Sequence, residues 1–157
     1  HTDVRESILT LSTGMTPEWT FFNALQKYLD HYHSTFGIGI ELLSSEAMED
    51  TLPPEAGVQV MRVIQEALTN ARKHGGAQNA VIMFGQKEGH VTISIHDDGS
   101  GFDPADLDSE SDKHFGLQFM RERMKQINGS VAIESRPGSG TTVELVVPVG
   151  NGEGGTV

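Results

Sequence analysis

The octapeptide HVTISIHD at residues 90–97 alternates without a break. Successive side chains of a strand point to opposite faces, so Val91, Ile93, Ile95 and Asp97 share one face. Thr92, Ser94, His96 and then Asp98 take the other. A strand that is apolar on one side and polar on the other belongs to a sheet covered on one face only. The segment Asn79–Gln86 just before it reads as a second strand, with Lys87–Gly89 as a tight turn, so the two form a hairpin. The apolar face needs a cover, and the rest of the chain supplies amphipathic helices for it.

Pro53–Pro54 open the longest of these, which runs to about His74 and is ended by Gly75–Gly76. Its apolar side is Val60, Ile64, Ala67, Leu68 and Ala71. Upstream, Thr16 is the expected N-cap before Pro17, and Trp19, Phe22, Leu25, Leu29 and Tyr32 carry a helical stripe to about Thr35, stopped by Gly37. Ile38, Ile40 and Leu42 alternate as a short strand, and Ser44–Leu52 reads as a polar loop. After an acidic, aperiodic segment at Asp98–His114, Phe115–Ile127 forms a helix with Leu117, Met120, Met124 and Ile127 on one side. Asn128–Gly129 then turns the chain into a strand at Ser130–Ser135, and a Pro137–Gly138 turn feeds a last strand at Thr141–Val147. The expected fold is an α/β (α+β) two-layer sandwich: a mixed, mostly antiparallel five-stranded sheet covered on one face by three helices. Residues 1–13, with Val4, Ile8 and Leu11 at helical spacing, read as the end of a separate helix. Residues 14–149 read as one domain and 150–157 as a disordered tail.

Composition narrows the function. The 157 residues suit one domain with a real core and contain no cysteine, which excludes disulfides, thiolate metal sites and cysteine nucleophiles. No apolar run approaches the ~20 residues of a membrane-spanning helix, and no secretory signal is visible, so a cytoplasmic domain is expected. With 22 acidic residues against 11 basic ones the net charge is −11, the wrong sign for a nucleic-acid surface. A bound polyanion here needs local help from a divalent cation, a few placed bases or a helix N-terminus.

Four constellations can provide it. At 100° per residue, Glu66, Asn70 and Lys73 fall within about 60° of one another on the long helix. Read alone this is a solvated face before it is a site, with Arg62 placed to pair with Glu66. Asn70 resists that reading, since asparagine is a mediocre helix former and its amide oxygen is a good hard ligand for Mg²⁺. Asp97 ends an apolar row and so needs donors. They can come from amides of the Gly99–Gly101 turn or from a ligand amine, the glycines leaving room for a ring. In His114-Phe115-Gly116-Leu117, Gly116 is expected at a helix start, where free N–H groups can receive phosphate. The Pro137–Thr142 segment reads by itself as an ordinary hairpin turn.

The order of these elements carries more than any one of them. EALTNARKH (66–74), DDGSGF (97–102), HFGLQFMRERM (114–124) and GSGTTVELVVP (138–148) resemble the ATP-binding (Bergerat-fold) domain shared by histidine kinases, Hsp90-type chaperones, type II topoisomerases and mismatch-repair ATPases. Within it, the chain is similar to bacterial sensor histidine kinases of the nitrate-sensor type, over roughly residues 17–148. The resemblance implies Mg-ATP as the bound nucleotide, with Glu66 and Asn70 in the first nucleotide box and at the metal, and Lys73 and His74 on phosphate. It implies that Asp97 reads the adenine amine, that Gly99 and Gly101 form the pocket floor with Phe102 also among the nucleotide-binding residues, and that Gly116 and Leu117 sit where a short lid, Asp103–His114, meets the triphosphate. Thr141 and Thr142 would line the adenine side, and Arg72 would be a solvated neighbour. It further implies γ-phosphoryl transfer to a histidine on an upstream dimerising helix, of which only DVRESILTL is present, and then to a response regulator with a DNA-binding output domain. His1, His31 and His33 lack the acceptor's helix context, so autophosphorylation of this chain is not expected. The full protein can be membrane-anchored. A stand-alone ATPase clamp of the chaperone type would need a longer lid and further domains. A degenerate interaction module would be free to lose Glu66, Asn70, Asp97 and the glycines.

Overall fold

The computed structural model describes residues 20–44, 52–107 and 112–149. The expected helix end at 2–11, the Thr16–Pro17 cap, most of the 44–52 loop and the tail at 150–157 lie outside the described residues, as do 108–111 of the segment expected to form a lid. Helix α1 spans Phe21–Phe36, strand β1 Gly39–Leu43, and helix α2 Pro54–Lys73. Strands β2 (Asn79–Lys87) and β3 (His90–Asp97) follow, then a single 3-10 turn at Pro104–Asp106. Helix α3 (Asp112–Lys125), β4 (Ser130–Ser135) and β5 (Thr141–Pro148) complete the order.

Local chemistry sets the boundaries. Thr20, extended at φ −135°, caps α1 by accepting from the Asn23 N–H at 3.0 Å, so α1 begins later than the expected Thr16 cap. Gly37 ends it in the left-handed region at φ 74°, donating to His33 O at 2.8 Å. Pro54 opens α2, where its missing N–H would have had no helical partner. Helix α3 differs from expectation. It starts at Asp112 rather than Phe115, so the last residues of the acidic segment 98–114 are already helical.

The sheet runs β1-β2-β3-β5-β4, with β1 parallel to β2 and every other pair antiparallel. Three helices lie on one face, as expected. Successive cross-strand rows of that face read Phe84–Ile93–Leu145–Val131, then Ile82–Ile95–Val143–Ile133. Against them pack Val60, Val63, Ile64 and Leu68 of α2, Leu25 and Leu29 of α1, and Met120 and Met124 of α3, all buried. Each such side chain contributes about 1.5–3 kcal/mol on leaving water. Phe21 and Phe22 close the α1 end edge-on against Phe84, with ring centroids at 5.8 and 4.8 Å.

Arg72 is not a solvated neighbour. Its Nε donates to Tyr32 Oη at 3.0 Å, and that hydroxyl donates to Leu68 O at 3.0 Å. The guanidinium lies 3.9 Å from the Phe36 ring centroid. Arg72 therefore fastens the end of α1 to the last turn of α2, the turn that also carries Asn70 and Lys73.

Candidate functional site

The next row of the inner face is polar. It reads Ala80–Asp97–Thr141–Ser135 across β2, β3, β5 and β4, at the sheet end where α2 stops. Asp97 is 7% exposed and is the buried charged residue among the described ones. Its Oδ1 accepts from the Gly99 N–H at 2.8 Å, so the turn-amide reading is correct for one oxygen. A carboxylate has lone pairs for further donors, and Asp97 also lines a cleft between α2, α3 and the sheet. Burial pushes its pKa up against the N–H groups of Gly99 and Thr141 and the nearby His96, which pull it down; Asp98 pushes it up further.

Asp98 takes the other face and a different task. Its carboxylate accepts from Gln78 N at 2.9 Å, Asn79 N at 3.0 Å and Asn79 Nδ2 at 3.0 Å, and these bonds hold its pKa below the usual carboxylate range. They tie the loop leaving α2 to the end of β3. Ser100 N donates to Gly75 O at 2.8 Å on the same seam. A Cβ on Gly99 would meet Gly75 O at 2.8 Å, so Gly99 serves this backbone approach, and it is Gly101 and Phe102 that line the cleft. Gly101, at φ +69°, runs so close to Arg136 O that no side chain fits. The β4–β5 turn closes on this loop through Gly138 N to Ser100 O at 2.6 Å and Phe102 N to Ser135 Oγ at 2.9 Å.

The cleft above Asp97 is walled by Ala67, Ala71, Ile95, Leu117, Met120, Ile133 and Val143, with Asn70, His74, Gly75 and Thr141 around them. It is an apolar slot with acceptors at its floor. A second, more open cleft adjoins it and shares Asn70 and His74. There α2 contributes Glu66, Thr69 and Lys73, and α3 contributes Phe115, Gly116 and Phe119. Glu66 has its pKa raised by burial, with the Lys73 ammonium pulling it back down. A Cβ on Gly116 would meet Glu66 Oε2 at 2.5 Å and Asn70 Nδ2 at 3.2 Å. The missing side chain thus leaves a cradle into which a carboxylate and an amide converge.

Two expectations are corrected. Gly116 is not at a helix start. It is the fifth residue of α3, past the four N–H groups that a helix leaves unpaired, so its amide cannot act as a free anion receptor. Its place is explained by the close approach of α3 to Glu66 and Asn70. Thr142 does not line the cleft either. One residue beyond Thr141, it points through the sheet to the open face, where its Oγ1 bonds to His96 Nδ1 at 2.7 Å. Glu66, Asn70, Lys73, His74, Asp97, Gly101, Phe102, Leu117 and Thr141 do come together across the two clefts. Ile133 and Val143 also line the slot, and Ser135 supports it opposite Thr141, although no motif singles these three out. Their parity with Asp97 was legible once the register of β4 and β5 was known.

The oxygen pair Glu66 and Asn70 suits a small hard divalent cation. Mg²⁺ is commonly held by one or two protein oxygens together with phosphates and water. No group of three or more His, Cys, Asp or Glu able to hold a metal by themselves occurs among the described residues. None of the helices there is long and apolar enough to cross a membrane.

Residues 55–151 match the family described as histidine kinase-, DNA gyrase B-, and HSP90-like ATPase. The chain is 31% identical over 128 residues to the signal transduction histidine-protein kinase/phosphatase DegS of Bacillus subtilis (strain 168), covering 80% of this chain and 33% of that protein. It is 28% identical over 147 residues to DegS of Brevibacillus brevis, covering 94% of this chain and 37% of that protein. The chain thus spans about a third of the length of these relatives. Among solved structures, the histidine kinase domain of the Erythrobacter litoralis blue-light activated kinase EL346 superposes with a TM-score of 0.74 at 17% identity, over 92% of this chain and 72% of that one. The ATP binding domain of PrrB from Mycobacterium tuberculosis does so at 0.61 and 22% identity, over 78% and 88%. These two likenesses support the fold.

Proposed function

Because the chain belongs to the histidine kinase-, DNA gyrase B-, and HSP90-like ATPase family, we propose that it is the nucleotide-binding half of a two-component sensor kinase. It binds Mg-ATP and presents the γ-phosphoryl group to a histidine elsewhere in a longer protein. The observation that carries this reading is the pair of adjoining clefts. An apolar slot ending on buried Asp97 suits a purine, and the polar cleft holding Glu66, Asn70 and Lys73 suits the phosphates.

In this reading Asp97 accepts from the exocyclic amine of adenine, and Ile95, Val143, Leu117 and Met120 exclude water from the ring. Asn70 and His74, common to both clefts, mark the ribose and α-phosphate. Lys73 neutralises the β- and γ-phosphates. Glu66 and Asn70 hold the magnesium ion, which supplies further charge neutralisation to the phosphate oxygens. Glu66, beside the site given to the phosphates, can accept a hydrogen bond from an attacking histidine or water and so polarise it. Phosphoryl transfer needs little else than positioning and charge stabilisation. The γ-phosphorus to oxygen bond breaks with ADP leaving, and the phosphoryl group passes to the acceptor nitrogen. A second transfer, to an aspartate of a response regulator, follows in the longer protein. The relatives are histidine kinases, which supports this reading over a stand-alone clamp of the chaperone type.

Calorimetric titration of Mg-ATP into the chain tests it. Saturable binding is expected, lost on chelation of magnesium or in Asp97→Asn by at least about tenfold. Glu66→Gln, whose amide oxygen can still face the metal beside Asn70, is expected to keep binding and lose slow ATP hydrolysis. Absence of binding to the wild type overturns the nucleotide reading, and full hydrolysis in Glu66→Gln removes Glu66 from the chemistry.

A further inference from the structure

Ser135 sits at the end of the polar row, directly opposite Thr141 on β5, and its single hydroxyl has three polar neighbours. Phe102 N lies at 2.9 Å, Gly140 O at 3.0 Å and Thr141 Oγ1 at 2.8 Å. A serine hydroxyl has one proton to give and two lone pairs to offer. The Phe102 amide can only donate, so it uses one lone pair. The Gly140 carbonyl can only accept, so it takes the proton. The remaining lone pair faces Thr141, and although that contact by itself can run either way, Thr141 must then be the donor. This is the one assignment in which all three bonds are made.

Its consequence lies in the cleft. With its proton committed to Ser135, the Thr141 hydroxyl can offer only lone pairs to a ligand. Thr141 is the cross-strand neighbour of Asp97, and both line the same slot. The floor then presents acceptors alone. A 6-amino purine, with two protons on its exocyclic nitrogen, satisfies such a floor. A 6-oxo purine brings an acceptor, O6, to those acceptors, and its one adjacent donor, N1–H, can serve at most one of them, so buried groups are left unpaired, which is where hydrogen-bonding sites discriminate most strongly.

We propose that Ser135 is a positioning residue for base selection: by fixing the direction of the Thr141 hydroxyl, it makes the slot choose a 6-amino over a 6-oxo purine nucleotide. Ser135 need not touch the nucleotide. The proposal rests on the adenine-nucleotide reading above and adds to it a source of specificity beyond Asp97.

The test compares the dissociation constants of Mg-ATP and Mg-ITP, which exchanges the 6-amino for a 6-oxo group, in the full chain. The wild type is expected to favour ATP. Ser135→Ala frees the Thr141 proton to turn into the slot, and the ATP-to-ITP preference is expected to fall about tenfold. Ser135→Thr keeps the hydroxyl and should restore the preference. Thr141→Val removes the acceptor itself and should also lower it, which identifies Thr141 as the group Ser135 acts through, and Ser135→Cys, whose thiol is a weak acceptor, provides a second route should Ser135→Ala fold poorly. A purely structural role would weaken both nucleotides equally, and that result, or an unchanged ratio in Ser135→Ala, overturns the proposal while leaving the adenine-nucleotide reading standing. A wild type that binds neither nucleotide overturns the underlying reading as well, and the two failures are told apart by that wild-type titration.

Discussion

Asp97 and Asp98 are neighbours in the chain and meet opposite environments because a strand turns one inward and the other outward. Asp97 is buried with its pKa raised, whereas Asp98 is exposed, saturated by Gln78 and Asn79, and lowered. The same parity separates Thr141 from Thr142. The tandem threonine reads in sequence as a pair, yet one residue faces the slot and the other bonds to His96 on the far side of the sheet. Thr142→Val is therefore expected to leave the ATP dissociation constant within about twofold of wild type, since an exposed hydrogen bond away from the ligand is worth little. A loss comparable to that of Thr141→Val in the same titration would show that the two side chains share the site.

At the scale of elements, the site is the seam where α2, α3 and the β3 loop approach most closely. Gly116 in α3 has no Cβ because Glu66 and Asn70 of α2 occupy that space. In Gly116→Ala two effects oppose each other. Alanine gains about 1 kcal/mol in helix propensity over glycine at an interior position. Against that, the new methyl meets Glu66 Oε2 at 2.5 Å, the far end of a flexible side chain that can swing away. The melting temperature is thus expected to hold or rise while ATP hydrolysis falls severalfold, because the carboxylate is displaced. A drop of several degrees in melting temperature would show that the helices themselves had been pushed apart. Gly75 and Gly99 form a second such contact, joined by Ser100 N to Gly75 O, which sets Asp97 relative to the end of α2.

For the whole molecule, Glu66 and Asp97 place two carboxylates where burial opposes their charge. Their folded pKa values lie above the unfolded ones, so the stability they contribute is fully present below the ordinary carboxylate range, about pH 4. It is lost as pH rises through the raised values. Asp98 runs the other way, its contribution present above the ordinary range and lost as pH falls through its lowered value. In the absence of nucleotide, Asp97→Asn is accordingly expected to melt higher than wild type at pH 7, the gap closing toward pH 4. Melting curves across that range check it, and a less stable variant at pH 7 would refute the account. The same residue ties stability to function, since in the proposed reading a bound amine adds a donor to a buried carboxylate that also accepts from the Gly99 amide. ATP affinity should correspondingly weaken as pH falls through the raised pKa of Asp97.

The one-sided sheet, its five strands and its three helices were legible in the sequence because periodicity is a local property. The period of two in HVTISIHD and the apolar stripe of the long helix each need only a dozen residues to read. So did the inward turn of Asp97, which follows from parity alone. What tertiary structure decided was everything that depends on two segments meeting. Gly116 became a packing residue rather than an anion receptor because α3 begins at Asp112 and crosses Glu66. Arg72 became a fastening between α1 and α2 because Tyr32 and Phe36 lie beneath it. Ser135 entered the site because β4 pairs with β5 in a register that sets it against Thr141. A sequence shows the faces that each element offers, and only the distances between elements decide which of those faces become one site.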